Sequence, residues 1–378
     1  MGTCKFCGKN NKYISETLEV CRECIINGDW NSIHEHVLNV HEEVRKMANL
    51  PGSPPKRESN VKVKCNYCIN ECSLSVNDVS YCGLRNIQKN DTGELPFPSK
   101  SKAYIHGYLD NNPTNCCNSW FCPAGTSNGY PQFSSHAGPE YGTYSYAAFL
   151  YGCTFDCLFC QNYSHKFFSK RNLEDAEEIA DQIVKNEKIT CLCYFGGTPE
   201  SQLPFSIHLA ELILDKIKKQ DLNRIFRVCW EWNGSGNQHL IEKCMKIALK
   251  TGGNIKFDLK SYHEKLNMAL CGISNSRTLQ NFECLAKKYF GTRPGLPEMS
   301  ACTLLVPGYL VQEEVEQIAK FISKIDNEIP YSLLVFHGDY QMKDLPITPR
   351  KQAESCLKVA KKYLKNVHLG NKFLLGFF

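Results

Sequence analysis

The stretch Tyr151-Gly-Cys-Thr-Phe-Asp-Cys-Leu-Phe-Cys-Gln-Asn-Tyr163 sets three thiols, Cys153, Cys157 and Cys160, at a C-x3-C-x2-C spacing. Three thiolates on so tight a loop can grip three corners of a cubane iron–sulfur cluster and leave the fourth iron without a protein ligand. An iron left open in this way can take a small-molecule chelator and pass it an electron. The plainer readings are a zinc knuckle or three buried free cysteines. A structural zinc wants a fourth ligand, and none stands beside the three at a natural spacing. Ser145–Tyr151 reads as a strand that delivers this loop.

The chain has room for one large core plus a smaller module, and 42% hydrophobic with 22% charged residues over 378 is an ordinary globular composition. A formal charge of +5 is mild, and Lys and Arg are interspersed with Asp and Glu, so nucleic acid is not an expected partner. No apolar stretch is long enough to span a bilayer, and Met-Gly-Thr-Cys-Lys-Phe-Cys7 is no apolar signal region. The expected location is therefore cytoplasmic. There the 22 cysteines would stay reduced, and clustered thiols point to metal rather than disulfides.

Cys4-x2-Cys7 and Cys21-x2-Cys24 make two knuckles, the usual shell of a structural zinc. Ile33, Val37, Val40, Val44 and Met47 follow at helical spacing, and the stripe stops at Pro51-Gly52. His34, His36 and His41 on that helix are expected to be solvated. Residues 1–50 thus read as a zinc-knuckle plus helix module, 51–60 as a polar, proline-rich linker, 61–143 as a cysteine-rich extension and 144–378 as the main domain. The extension holds Cys65, Cys68, Cys72 and Cys82, then Cys116, Cys117 and Cys122. Cys65, Cys68, Cys72, Cys82, Cys116 and Cys122 are candidates for an auxiliary iron or zinc site. Cys116 and Cys117, being vicinal, are not expected both to ligate one ion.

From about residue 144 short apolar runs alternate with amphipathic helices. Further strands are expected at Thr190–Phe195, Ile225–Glu231, Ile255–Leu259, Cys302–Val306, Ser332–Phe336 and Val367–Leu369. Helices are expected at Asp175–Asn186, Gln238–Lys250, Leu279–Tyr289 and Glu313–Ile325, with a last one opened by Thr348-Pro349. Such alternation means βα units on a parallel sheet, so the fold class is α/β, a partial (β/α)6 TIM-like barrel with a small metal-binding N-terminal region. Barrel sites form at the carboxyl ends of strands. Those ends carry Gly196-Gly197-Thr198-Pro-Glu200, Glu231-Trp-Asn233-Gly, Asp258-Leu-Lys260, Val306-Pro-Gly and Phe336-His337.

The cysteine spacing, with Phe159 directly before the third cysteine, resembles the radical S-adenosylmethionine (SAM) superfamily. Cys65-x2-Cys68-x3-Cys72-x9-Cys82-Gly-x-Arg85 is similar to the N-terminal element of long-form relatives of pyruvate formate-lyase activating enzyme, including the radical SAM member of the AmmeMemoRadiSam group. The likeness spans about residues 60 to 378 and leaves the first knuckles and residues 103–143 unmatched. It implies a [4Fe-4S] cluster on Cys153, Cys157 and Cys160, with SAM held by the strand ends. Gly196, Gly197 and Thr198 would receive its amino group. Lys260, oriented by Asp258, would meet its carboxylate, Val306 would shape the floor under the adenosine, and His337 would stand nearby. Glu231 and Asn233 fall in a family motif from which Trp232, in place of a small residue, departs.

The same likeness implies reductive cleavage of SAM to a 5′-deoxyadenosyl radical that takes hydrogen from a substrate. A protein or peptide is the expected substrate, with a ferredoxin- or flavodoxin-type one-electron reductant. Two other readings stand beside this one. The first is a cobalamin-dependent radical SAM peptide methyltransferase, whose common form carries an Asp-x-His-x-x-Gly motif not found here. The second is a non-enzymatic zinc-ribbon binding protein.

Overall fold

The computed structural model describes residues 1–56, 59–87, 98–114, 116–167, 172–222 and 224–376. Arg57 and Glu58 of the expected linker lie outside the described residues. Helices α1 (Arg22–Asn27) and α2 (Trp30–Lys46) come first. The Asp29 carboxylate caps α2 by accepting from the Asn31 amide. Strands β1 (Ile105–Asn111) and β2 (Tyr144–Leu150), helix α3 (Ala176–Lys185), strand β3 (Ile189–Gly196) and helix α4 (Leu203–Lys219) follow. Then come β4 (Arg227–Trp232), α5 (Gln238–Thr251), β5 (Ile255–Asp258), α6 (Glu264–Cys271), α7 (Ser276–Tyr289) and β6 (Met299–Leu305). Helix α8 (Gln312–Ser323), β7 (Tyr331–Val335), α9 (Arg350–Ala360) and β8 (Val367–Gly370) complete the alternation.

The sheet order is β8-β7-β6-β5-β4-β3-β2-β1. Neighbours are parallel except β1, which runs antiparallel to β2. The sheet is open, with β8 and β1 at its edges. Strand β1 is absent from the sequence expectation, because Ile105-His-Gly-Tyr-Leu-Asp-Asn111 carries no clean alternation and is mostly exposed. Helix α9 also starts one position later than Thr348-Pro349 suggests: Pro349 is its N-cap residue rather than its first helical one. The Thr348 hydroxyl instead donates to Leu305 O and accepts from the Phe336 amide, tying two strand ends together.

A period of two decides what each strand face does. Leu192, Tyr194, Val228, Trp230, Ile255 and Phe257 are buried against the helices. Their alternates Cys191, Cys193, Arg227, Cys229, Glu231, Lys256 and Asp258 line the concave interior. Residues 116–143 cross the amino ends of the strands and fill that interior from below. Asn118 Nδ2 bonds Asn254 Oδ1 at 3.0 Å, and the Trp120 indole donates to Ser332 Oγ at 3.1 Å and stacks on His368 of the edge strand β8.

In the same floor the fully buried Glu140 carboxylate meets the Arg227 guanidinium, with Thr190 Oγ1 donating at 2.9 Å and the Ser135 amide at 2.9 Å. Burial pushes this carboxyl up, but Arg227 and the hydrogen bonds outweigh it and hold it at about 2. A depressed carboxyl stabilises the fold fully above its unfolded value near 4.5, and that contribution fades as pH falls through about 2. Glu140→Gln should therefore remove about 3 kcal/mol at neutral pH. Its urea midpoint should also depend less on pH between about 4.5 and 2 than that of the parent protein. Equal pH profiles for the two proteins would contradict this assignment.

Residues 1–50 pack directly on the barrel. Ile14, Leu18, Ile25, Ile33, Val37 and Val44 share one apolar cluster with Phe155, Leu158, Phe159, Val306 and Tyr309. The Tyr309 hydroxyl donates to Val20 O at 2.9 Å and accepts from the Ser15 amide at 3.0 Å. His41 corrects the expectation that it is solvated: it is 2% exposed, with Nδ1 2.8 Å from Asp156 and Nε2 3.2 Å from Ala269 O. It lies on the apolar stripe one turn after Val37, so packing that stripe buries it and requires polar partners. His34, His36 and Val40 are half-buried, while Met47 lies past the helix end and is exposed. Among the described residues no helix is long and apolar enough to cross a membrane.

Candidate cluster and cofactor site

Strand β2 ends at Leu150, and the chain turns through Gly152, at φ +75°, into the cysteine loop. The end of β3 presses backbone to backbone on this turn: the Gly197 amide donates to Leu150 O at 2.9 Å and the Thr198 amide to Gly152 O at 3.2 Å. A Cβ on Gly197 would lie 2.0 Å from Gly152 O. Glycine is thus required here by main-chain packing, besides any ligand contact.

The loop is held from several elements. The Asp156 amide donates to Cys271 O at 2.8 Å and the Leu158 amide to Leu270 O at 2.9 Å. Asn70 Nδ2 donates to Thr154 O at 2.8 Å, and Asn233 Nδ2 to Thr154 Oγ1 at 2.7 Å. The Asp156 side chain is fully buried among His41, Arg45 at 3.5 Å and Lys166. Burial pushes its carboxyl up, yet the hydrogen bond from His41 and the charges of Lys166 and Arg45 hold it well below the usual range. Around the sulfurs, Asn233 Nδ2 lies 3.9 Å from Cys153, His165 Nε2 3.7 Å from Cys160, and the Cys271 thiol hydrogen-bonds Cys157.

Above the loop a cavity of about 240 Å³ opens at the carboxyl ends of the strands. It gathers Cys153, Cys157, Cys160, Phe159, Gly196, Gly197, Glu231, Asn233, Asp258 and Lys260 from the sequence expectation. Thr198, Val306 and His337 are not on its wall. The Thr198 hydroxyl turns to the buried Glu200 carboxyl, Val306 belongs to the apolar cluster under α2, and His337 is half-buried on the loop after β7.

The wall also carries Gln161, Asn162, His165, Lys256 and Cys302, to which the sequence reading gave no role, and Trp232, noted there only as a departure from the family motif. Lys256 was legible, since Lys256, Asp258 and Lys260 alternate along one strand face. The register of β4 with β5 sets Glu231 beside Lys256. A row of alternating charges results: Lys256 Nζ lies 2.5 Å from Glu231 and 3.0 Å from Asp258, and Lys260 Nζ 2.7 Å from Asp258. Burial pushes the Asp258 carboxyl up, but Lys256 and Lys260 hold it at about 2. Burial would lower Lys260, but Asp258 outweighs it and keeps the ammonium charged. For Glu231 burial prevails over Lys256 and pushes the carboxyl up to about 7. Side by side, an ammonium and a carboxylate suit the carboxylate and ammonium of an amino acid.

These residues fit an iron–sulfur cluster and a polar cofactor. Among the described residues two groups of three or more ligand atoms lie within 4.8 Å of one another, and the loop cysteines form neither. A single zinc, with Zn–S of about 2.3 Å in a tetrahedron, would draw its sulfurs to about 4 Å. A cubane holds them farther apart. Cys271 does not line the cavity, so it is placed to donate to Cys157 from behind. Gln161 Nε2, His165 Nδ1 and Trp232 Nε1 are buried on this wall without a protein partner. Buried polar atoms of that kind call for a ligand.

Residues 148–322 match the model of the radical SAM superfamily, and the chain carries a radical SAM domain and is an enzyme. Such a domain works with a [4Fe-4S] cluster and SAM. The chain is similar to two Methanocaldococcus jannaschii proteins named as glycyl-radical enzyme activating enzymes. One is 27% identical over 57% of this chain and 77% of its own length, the other 26% over 58% and 85%. A domain of pyruvate-formate lyase-activating enzyme from Bacteroides vulgatus aligns at 16% identity and TM-score 0.37 over 47% of this chain and 98% of that one. Streptococcus suis SuiB bound to precursor peptide SuiA aligns at 14% and 0.43 over 59% and 47%. The non-enzymatic zinc-ribbon reading is thereby overturned.

The remaining cysteines form separate groups. The sulfurs of Cys4, Cys7, Cys21 and Cys24 lie within 4.8 Å of one another, with Cys7 and Cys21 3.8 Å apart, a spacing that could hold one metal ion. Both Cys116 and Cys117 lie together with Glu231, the Cys116 thiol donating to Glu231 Oε1 at 2.9 Å. Cys122 lines the same cavity as Cys116 and Glu231 but does not join that group, packing against Cys191, Cys193 and Ala124 in the barrel floor. Cys65, Cys68, Cys72 and Cys82 are each buried outside the main cavity, and Cys82 shares a small cavity with Arg45 of α2 and Cys153.

Proposed function

We propose that this radical SAM enzyme takes a hydrogen atom from a backbone position of a protein or peptide. The homology to glycyl-radical activating enzymes carries this reading, and the shape of the site supports it. Beside the main cavity lies a second, of about 210 Å³, that shares Asn162, His165 and Gly196 with it. Its walls of His106, Tyr108 and Phe149 belong to the edge strand β1 and to β2, and Tyr108 is 46% exposed. An extended polypeptide could enter along this aromatic groove.

In this reading Cys153, Cys157 and Cys160 hold the cluster, and Lys260 with Asp258 orients the SAM carboxylate. The main chain at Gly196 and Gly197, with Asn233, frames the amino group. When bound, cluster and cofactor supply reductive cleavage of the sulfonium and hydrogen-atom abstraction, with a ferredoxin- or flavodoxin-type donor providing the electron. Phe159, Phe195 and Trp232 exclude water from the reacting position. Residues 144–378 make up the catalytic domain, and α2 with Asn70 braces its cysteine loop.

The test uses anaerobically reconstituted enzyme with dithionite and SAM, supplied with extract of cells grown on deuterated amino acids and split into protein and small-molecule fractions. Deuterium should enter 5′-deoxyadenosine from the protein and peptide fraction. Transfer from the small-molecule fraction alone would overturn the substrate reading and leave the radical chemistry standing.

A further inference from the structure

Cys65, Cys68, Cys72 and Cys82 are each less than a tenth exposed. A short ribbon folds them together: Val63–Lys64 pairs antiparallel with Ser73–Leu74, the Cys65 amide donates to Cys72 O at 2.8 Å, and a bridge between Val79 and Asn86 returns Cys82 to the group. Cys68 lies within electrostatic reach of Cys65, Cys72 and Cys82. Even so, no three of the four sulfurs form one of the groups gathered within 4.8 Å. One zinc would hold them closer than this, whereas the four corners of a cubane need the wider spacing.

Arg85 is a second, independent observation. Its guanidinium is 1% exposed; Nη1 lies 3.7 Å from Cys82 Sγ, Nη2 donates to Ser201 O at 3.1 Å, and Tyr67 covers it at 4.7 Å. Its Nε has no partner among the described residues, and the groups that act most strongly on its charge are the thiols of Cys65 and Cys82, the Tyr67 phenol and the Cys68 thiol. A buried cation without a counter-charge is strongly unfavourable. Four iron-bound thiolates would supply that charge. Donors already face the sulfurs: the Tyr81 amide lies 3.5 Å from Cys72 Sγ, and Ser80 Oγ 3.3 Å from Cys82 Sγ. Hydrogen bonds to sulfur of this kind tune such clusters.

We propose that Cys65, Cys68, Cys72 and Cys82 hold a second iron–sulfur cluster, closed by four protein thiolates, with Arg85 as its counter-ion. It adjoins the catalytic loop, since Cys82, Gly152 and Cys153 wall one small cavity. The proposal is independent of the substrate reading.

The test uses the full chain with Cys153, Cys157 and Cys160 all replaced by alanine, reconstituted without oxygen with ferrous iron and sulfide. About four irons and four sulfides per chain should remain, with a paramagnetic signal on reduction that SAM leaves unchanged. Sulfide separates this cluster from iron taken singly by the Cys4 knuckles. Adding Cys65→Ala and Cys68→Ala should remove iron, sulfide and signal together. Arg85→Met on the same triple background keeps all four thiols and should lower the midpoint potential, because a positive charge beside the cluster is lost. Zinc in place of iron, or no sulfide in the folded triple variant, would overturn the proposal. So would iron and sulfide that persist without Cys65 and Cys68.

Discussion

Cys157→Ala is expected to abolish 5′-deoxyadenosine formation and the SAM-sensitive paramagnetic signal. The loss should exceed by far the roughly 10- to 100-fold effects of changing groups that merely orient a metal ligand. Besides these three thiols the cavity wall carries Cys302 of β6, whose thiol pairs with Cys117 rather than with the loop, and Cys271, beside Cys157, is buried and absent from the wall. The fold should survive, because the loop is held by the main-chain bonds of Asp156 and Leu158 and by Asn70 and Asn233 rather than by this side chain. Product formation at the parent rate in the folded variant would refute the assignment of Cys157 as a ligand.

Asp156→Asn is expected to destabilise the enzyme by about 3–5 kcal/mol, since it leaves His41, Arg45 and Lys166 buried without their shared carboxylate. Two of those partners come from α2, so the same change should loosen residues 1–50 from the cysteine loop and lower the iron content per folded chain. The sequence reads residues 1–50 as a module apart from the main domain. The buried contact at Asp156 predicts coupling instead, and zinc chelation should lower cluster retention too. Urea midpoints with iron analysis check both effects. A midpoint shift below about 1 kcal/mol with unchanged iron would contradict the coupling.

What the sequence made legible follows from how local each signal is. Strands β2 to β8 announce themselves through apolar runs bounded by helices, and their ends carry the glycines, Asp258 and Lys260 within a residue or two of the last paired position. The cysteine spacing is wholly local and needs no fold to be read. Strand β1 was illegible because an edge strand with exposed Tyr108 and Leu109 has no buried face to impose alternation. The role of residues 116–143 depends on Glu140 reaching Arg227, some ninety positions away, which no local pattern encodes. His41 was misread for a related reason: a helical stripe shows which face is buried, but not that Asp156 waits opposite. His165 is a lone histidine in sequence and becomes notable only when its ring stands on the cavity wall beside Cys160. Val306 and Thr198 show the converse, strand-end positions whose side chains turn into the core.

The most direct test is electron paramagnetic resonance of the reduced, anaerobically reconstituted protein recorded with and without SAM. Binding of the cofactor at an iron free of protein ligands should reshape the spectrum, over an unchanged background from any closed cluster. A spectrum that SAM leaves untouched, with cluster content intact, would mean that a fourth side chain has sealed the iron. His165, with Nε2 3.7 Å from the Cys160 sulfur, would be the first to examine.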